Sequence, residues 1–332
     1  MTKKLRVGVA GAGFIGAVHA QALLQVADIE VVGIADPIAA KAEPLAKATG
    51  SRVFPDYDAL LKAGVDVLSV ALPPALHLPA AEAAAQAGVH VLMEKPIART
   101  LAEADAMMAA CRKGGVNLMV GFTHHFYPEM IEARRLVGAG AIGRPLIVLD
   151  NMSITYSFVL PWYRDKEING GGVFMCNAVH GFDRAAWVLG QKVSAVSALV
   201  EPTTGRRAED YGAAIARFDG GAQGSFFQHW GSYPTVQCEL QIFGEEGMIH
   251  VRSWDSVEIM AGGTRTIKHF YSPGMSLPER TLTGMVAEMD EMLSSVREGR
   301  PPSVGGAEGR AALAAVLAVY ESSATGQWIT VT

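Results

Sequence analysis

Short, uninterrupted apolar runs rich in β-branched residues fall at 5–10, 29–35, 66–71, 89–93 and 117–121, and alanine-rich stretches of helical spacing fill 15–26, 38–48, 56–62, 77–87 and 100–113. A strand without polar alternation is one covered on both faces. Its regular exchange with helices builds βαβ units and a parallel sheet. Thr100 and Glu103 have capping-box spacing at the start of the last of these helices.

From 146 onward the texture changes to β-rich segments at 146–157, 193–200, 210–218, 223–231, 236–243, 247–251, 256–260 and 265–270. Glycine turns such as Asp219-Gly220-Gly221 and Gly262-Gly263 separate them, which predicts antiparallel hairpins. One helix, 173–189, interrupts the series; helices at 279–298 and 306–323 precede a last strand at 328–331. The expected fold class is α/β plus α+β. A doubly wound parallel sheet occupies 1–122, and a second domain built on a large, mostly antiparallel open sheet occupies 123–332. The last helix, with Gly309 and Arg310 in an alanine-rich pattern, is expected to pack back on the first domain. A broad sheet with helices on one face leaves the other apolar, and Phe226, Trp230, Leu240 and Ile242 alternate as such a face would. It calls for a partner, a homodimer or homotetramer through this sheet, or for a covering loop.

A length of 332 residues fits two domains, and 50% hydrophobic residues supply two cores. The formal charge of −5 gives no attraction to nucleic acid or an anionic membrane. No apolar run approaches the roughly 20 residues that span a bilayer. Met1 to Lys4 before an apolar stretch resembles a leader faintly, but that stretch is short and already forms the first strand. Three cysteines, Cys111, Cys176 and Cys238, are odd in number and lack a C-x-x-C pair, so neither a disulfide framework nor a cysteine zinc site is expected. A reducing cytoplasm is the expected location. The tandem His124 and His125 have no acidic or histidine partner at ligand spacing, and no metal is expected.

Chemistry concentrates first in Val9 to Ala17, where a strand runs into GAGFIG and opens a helix. Gly11 allows the tight turn, Gly13 leaves the backbone open to a pyrophosphate, and Gly16 lets the helix pack on the sheet; Phe14 and Ile15 lie within the loop. Glycines also serve strand-to-helix turns for steric reasons alone. Here, however, a second strand ends at Asp36, 20 residues beyond Gly16, where a ribose diol needs a carboxylate. Asp36 could equally be a turn residue before Pro37. Taken together, strand, glycines, helix and acid predict dinucleotide binding. A carboxylate repels a 2′-phosphate, which favours NAD over NADP.

Glu94-Lys95-Pro96 follows the strand 89–93 at its carboxyl end, where open α/β sheets place ligands. The proline favours an extended backbone at Lys95, so the ammonium is aimed. It could hydrogen-bond a substrate hydroxyl and stabilise an alkoxide, or it could be a solvated surface charge. Gly170-Gly171-Gly172 leads into the helix carrying Cys176, Asn177, His180 and Asp183. Cys176 and His180, four apart, share a face of an α-helix, with Asp183 again adjacent. A histidine there is either a hydrogen-bonded core residue or a proton acceptor near neutral pH.

GAGFIG, Asp36, EKP at 94–96 and the triple glycine with His180 resemble the glucose-fructose oxidoreductase/inositol dehydrogenase (Gfo/Idh/MocA) family along nearly the whole chain. The resemblance implies a Rossmann domain, a large C-terminal sheet, a nicotinamide cofactor, and hydride exchange at a secondary alcohol of a sugar, cyclitol or sugar-like diol. Under it, Lys95 is the catalytic lysine and His180 the proton-transferring histidine. Leu72 and Pro73 with His77 resemble the nucleotide-contacting Pro-x-x-x-His loop, and Glu94 joins the cofactor site. Trp162 and Arg164 resemble the Trp-Arg segment, and His125 stands where the family often has arginine. Tyr127 and Asn177 complete the candidate substrate pocket. Arg164 either grips an acidic substrate or pairs with Asp165 or Glu167. The chain departs from the pattern at Cys176, where the family usually has aspartate; the thiol is packing or a substrate contact. Two other functions fit the same residues: an NAD-dependent glycosidase with transient redox, and a non-catalytic NAD-binding regulator.

Overall fold

The computed structural model describes residues 4–155, 159–202, 207–231 and 236–332. Its backbone gathers into two units, Met1–Thr123 with Thr281–Arg310, and His124–Arg280 with Ala311–Thr332. Met1 to Lys3, the leader-like start, and positions 156–157 of the expected strand 146–157 lie outside the described residues.

The first unit holds strands β1 (Leu5–Ala10), β2 (Ile29–Ala35), β3 (Arg52–Phe54), β4 (Val67–Val70), β5 (His90–Met93) and β6 (Leu118–Val120). All pair in parallel in the order β3-β2-β1-β4-β5-β6. Helices α1 (Phe14–Leu23), α2 (Ala39–Thr49), α3 (Tyr57–Lys62), α4 (His77–Gln86) and α5 (Leu101–Gly114) connect them. The order reverses between β1 and β4, which opens a crevice at the carboxyl ends of the strands. Local chemistry sets the helix limits. Asp56 and Thr100 accept from Ala59 N and Glu103 N at the starts of α3 and α5, while Gly50 and Gly115 turn left-handed after α2 and α5. The three-residue edge strand β3 is absent from the sequence expectation, its run being too short to show a period.

The second unit begins with α6 (Pro128–Gly138), also absent from the expectation. Its signals are present, however: Pro128 in the first turn, Glu129 beside it, and Met130, Ala133 and Val137 buried at helical spacing. β7 (Pro145–Thr155), the short helix α7 (Lys166–Asn169) and α8 (Val179–Leu189) follow. Next come β8 (Val193–Glu201), β9 (Tyr211–Phe218), β10 (Gln223–Gly231), β11 (Gln237–Gly244), β12 (Gly247–Arg252), β13 (Ser256–Ala261) and β14 (Thr264–His269). The chain closes with α9 (Leu277–Glu298), α10 (Gly306–Thr325) and β15 (Ile329–Thr330). The nine strands run β14-β13-β12-β11-β7-β10-β9-β8-β15, all neighbours antiparallel except β7 and β10. The parallel six-stranded and mostly antiparallel nine-stranded sheets are those expected.

Residues Thr281–Arg310, far along the chain, cluster with the first unit. Asn117 donates its amide to Ser295 Oγ and Arg300 O, and Arg310 pairs with Asp105. At Gly309 a Cβ would stand 2.9 Å from Val120 Cγ2, so the first turn of α10 approaches the sheet as only glycine allows.

One expectation is inverted. Phe226, Trp230, Leu240 and Ile242 are completely buried and form the helix-covered face, with Phe182 of α8 on Phe226 at 4.2 Å. The open face carries the alternate residues, Leu149, Leu199, Tyr211, Ile215 and Phe227. Both sets are partly apolar, so alternation alone does not say which faces the helix. Asp150 lies on the covered face with them, and its inward carboxylate accepts from Arg184 Nε of α8 at 2.6 Å.

Candidate active site

The nucleotide loop shows what each glycine does. Gly11 has φ 100°, and a Cβ there would lie 2.3 Å from Ala71 O; on Gly16 it would lie 1.9 Å from Gly11 O. On Gly13 it would meet nothing within 4 Å. Two glycines therefore permit close packing, and the third keeps open space above the start of α1. The N–H groups of the first turn of a helix have no partner within it and face outward, which suits a diphosphate. Phe14 is exposed and Ile15 half-buried beside them. Asp36, just past β2, accepts from Ala12 N and Ile38 N, each at 2.9 Å, which fixes its carboxylate beside the loop. These residues fit an NAD molecule.

The half-buried Leu72 and Pro73 follow β4. His77 is fully buried, its two ring nitrogens 2.8 Å from Leu72 O and 3.2 Å from Ile97 O. Burial lowers its pKa against the pull of those carbonyls. His77 thus ties the loop after β4 to the segment after EKP. Lys95 is half-buried just beyond β5, and its bond to Pro96 is cis. Glu94 turns inward: Oε1 lies 3.1 Å from His19 Nε2, and Oε2 accepts from Lys95 N at 3.1 Å. The other nitrogen of His19 is 2.7 Å from Ser69 Oγ. A second carboxyl, Glu288 of α9, is buried nearby and accepts from Thr123 Oγ1. Burial, and then the charge of Glu94, raise its pKa well above the carboxylate range. His19, Ser69 and Glu288 are missed by sequence reasoning; a lone polar residue on the covered face of α1 was the available signal.

In the second unit, a Cβ on Gly171 would meet Tyr320 Oη at 2.1 Å and one on Gly172 would meet Glu209 O at 1.9 Å. Glu209 accepts from Gly172 N at 2.8 Å, Phe174 N at 3.2 Å and the Tyr320 hydroxyl at 2.7 Å, holding the start of the helix. The sequence predicts one α-helix from 173, but Phe174–Ala178 winds as a π-helix before α8 begins. The α-helical face shared by Cys176 and His180 is therefore altered by the wider winding. Cys176 Sγ accepts from Asn169 Nδ2 at 3.1 Å. Asn177 is buried, and its Nδ2 finds no hydrogen-bond partner among the described residues; the same is true of Asn169 Oδ1.

His180 is buried, with the His124 ring tilted over it at 4.8 Å. Arg184 Nη1 donates to His124 Nδ1 at 3.3 Å and its Nε to Asp150 Oδ2 at 2.6 Å. Removing one member of such a buried ion pair costs about 3–5 kcal/mol. His125 is buried against Trp187 at 4.3 Å, with Nε2 2.7 Å from Asp183 Oδ2. α8 is thus clamped on both flanks of His180. Tyr127 is buried edge-on to His124 at 5.6 Å and to Trp254 at 6.0 Å. Trp162 and Arg164 are half-buried in the turn Pro161–Arg164, with Trp162 packed edge-on to Tyr163 at 4.2 Å. Among the described residues, no three histidine, cysteine or carboxylate side chains gather as a metal site requires.

Residues 5–122 match the model of the oxidoreductase family with an NAD-binding Rossmann fold, and 130–250 match the GFO/IDH/MocA C-terminal domain. Myo-inositol 2-dehydrogenase of Thermotoga maritima is 28% identical over 319 residues, 93% of each chain. The oxidoreductase YrbE of Bacillus subtilis is 30% identical over 254 residues, 74% of this chain and 73% of its own. A solved levoglucosan dehydrogenase, in complex with NADH and levoglucosan, aligns with a TM-score of 0.90 at 25% identity, across 99% of this chain and 100% of that one. With its glycine loop, Asp36 and two sheets in place, this chain belongs to the GFO/IDH/MocA family of oxidoreductases and carries that family's NAD-binding Rossmann domain.

Proposed function

We propose that the chain is an NAD-dependent dehydrogenase acting on a secondary alcohol of a sugar, cyclitol or sugar-like diol. The observation that carries this reading is Lys95, which stands just past the carboxyl end of β5, on the same edge of the parallel sheet as the glycine loop after β1. Bound nicotinamide exchanges hydride with a carbinol carbon. Lys95 donates a hydrogen bond to the carbinol oxygen and stabilises it as an alkoxide. His180 takes the hydroxyl proton. Cys176, engaged by Asn169, supplies no fixed negative charge. The relatives named for inositol and levoglucosan support the same substrate class.

The test is NADH absorbance with inositols, anhydrosugars and aldoses. Lys95→Met and His180→Ala should each lower kcat by roughly 10²- to 10⁴-fold while NAD still binds. Near-wild-type turnover in both variants overturns the assignment. Hydrolysis without net NADH would instead indicate a glycosidase, and NAD binding without turnover of any substrate a regulator.

We also propose that copies of the chain associate through the open face of the nine-stranded sheet. Leu199 is 71% exposed and Phe227 55% exposed there, beside a depression of about 910 Å³.

A further inference from the structure

We infer that His19 is a positioning residue for Lys95: through Glu94 it holds the strand end on which Lys95 stands, and it ties that end to the helix opening the nucleotide loop. The inference rests on the reading of Lys95 given above.

His19 lies on α1, Ser69 on β4 and Glu94 just past β5, so one imbedded imidazole joins three elements. Its nitrogens lie 2.7 Å from Ser69 Oγ and 3.1 Å from Glu94 Oε1, and the other oxygen of Glu94 accepts from Lys95 N at 3.1 Å. His19 and Ser69 are completely buried. Polar side chains so placed are costly unless hydrogen-bonded, and an aliphatic residue would fill the same space without that requirement. The bonds here run toward the Lys95 backbone.

Charge supports the geometry. The ionisable groups facing Glu94 are His19 on α1, Lys95, His77 on α4 and Glu288 on α9. Burial pushes the Glu94 carboxyl up, but the His19 hydrogen bond and charge, then the Lys95 charge and N–H, together hold it below the ordinary value. Glu288 shifts the opposite way, raised by its burial and then by the charge of Glu94. Glu94 therefore offers Lys95 N an ionised acceptor, the stronger kind.

The experiment compares His19→Leu, His19→Gln and Ser69→Ala, with Lys95→Met alongside, measuring kcat by NADH absorbance and NAD affinity by calorimetry. His19→Leu should lower kcat roughly 10- to 100-fold with NAD affinity unchanged. His19→Gln, whose amide can donate to Glu94 and accept from Ser69, should recover most of that loss, and Ser69→Ala should show a smaller fall. Wild-type kcat in His19→Leu overturns the inference. So does a glutamine variant no better than leucine, with NAD affinity lost in step, because general loosening would produce it. Should the leucine variant not fold, Ser69→Ala decides: lowered kcat with intact NAD affinity supports the inference, and wild-type kcat overturns it. Wild-type turnover in Lys95→Met defeats the underlying reading of that lysine, whereas an inactive Lys95→Met beside a fully active His19→Leu defeats this inference alone.

Discussion

Asp36 uses both carboxylate oxygens on backbone N–H groups, one in the glycine loop and one at the start of α2. A carboxylate so fixed cannot swing away from an incoming 2′-phosphate. Asp36→Ser should therefore raise KM for NAD by roughly tenfold, about one charge-assisted hydrogen bond, and narrow the preference over NADP. Parallel kinetics with the two cofactors check this; an unchanged ratio would show that the aspartate only shapes the turn. Asp36 was legible in the sequence because its distance from Gly16 is a local spacing. The same is true of Lys95, which a strand and a proline bracket. The long-range pairings within the site were not legible. His19 meets Glu94 across 75 positions, and His125 meets Asp183 across 58. Nothing in a one-dimensional pattern marks which buried polar residues will find each other.

Among the secondary elements, 5–10, 29–35 and 223–231 have the bounds the sequence implied, the first two as apolar runs and the third as an alternating segment. The π winding of Phe174–Ala178 has no compositional mark, and the alternation along β10 does not say which of its faces meets α8. Helix α9 carries a testable consequence of its own. Glu288 is fully buried, and burial, followed by the Glu94 charge, keeps it protonated well above the usual carboxylate range. The unfolded chain releases that proton near the ordinary glutamate value. Above it the native state binds more protons than the unfolded state, so this residue costs stability progressively as pH rises, until the native carboxyl itself ionises. Glu288→Gln removes the titration. Its Tm advantage over the parent should widen from acid toward alkaline pH in thermal denaturation; a difference independent of pH would show that the carboxyl titrates alike in both states.

The association proposed above uses the face that the nine-stranded sheet leaves open. Leu199→Lys and Phe227→Lys place ammonium groups among Leu149, Tyr211 and Ile215, and should convert oligomer to monomer in light scattering after size exclusion. Oligomers of unchanged size in both variants would place the contact elsewhere. The rims of that sheet differ sharply from its face. At one end β15 has only two residues. At the other, all six residues of β14 are exposed, with Arg265 held by Glu258 and Lys268 reaching Glu132 at 3.3 Å. A foreign strand adding there would have to strip water from the charged side chains along that edge. Growth by strand addition is thereby blocked at the borders, so even a concentrated solution of this protein should yield stacked, finite clusters and not lengthening ribbons.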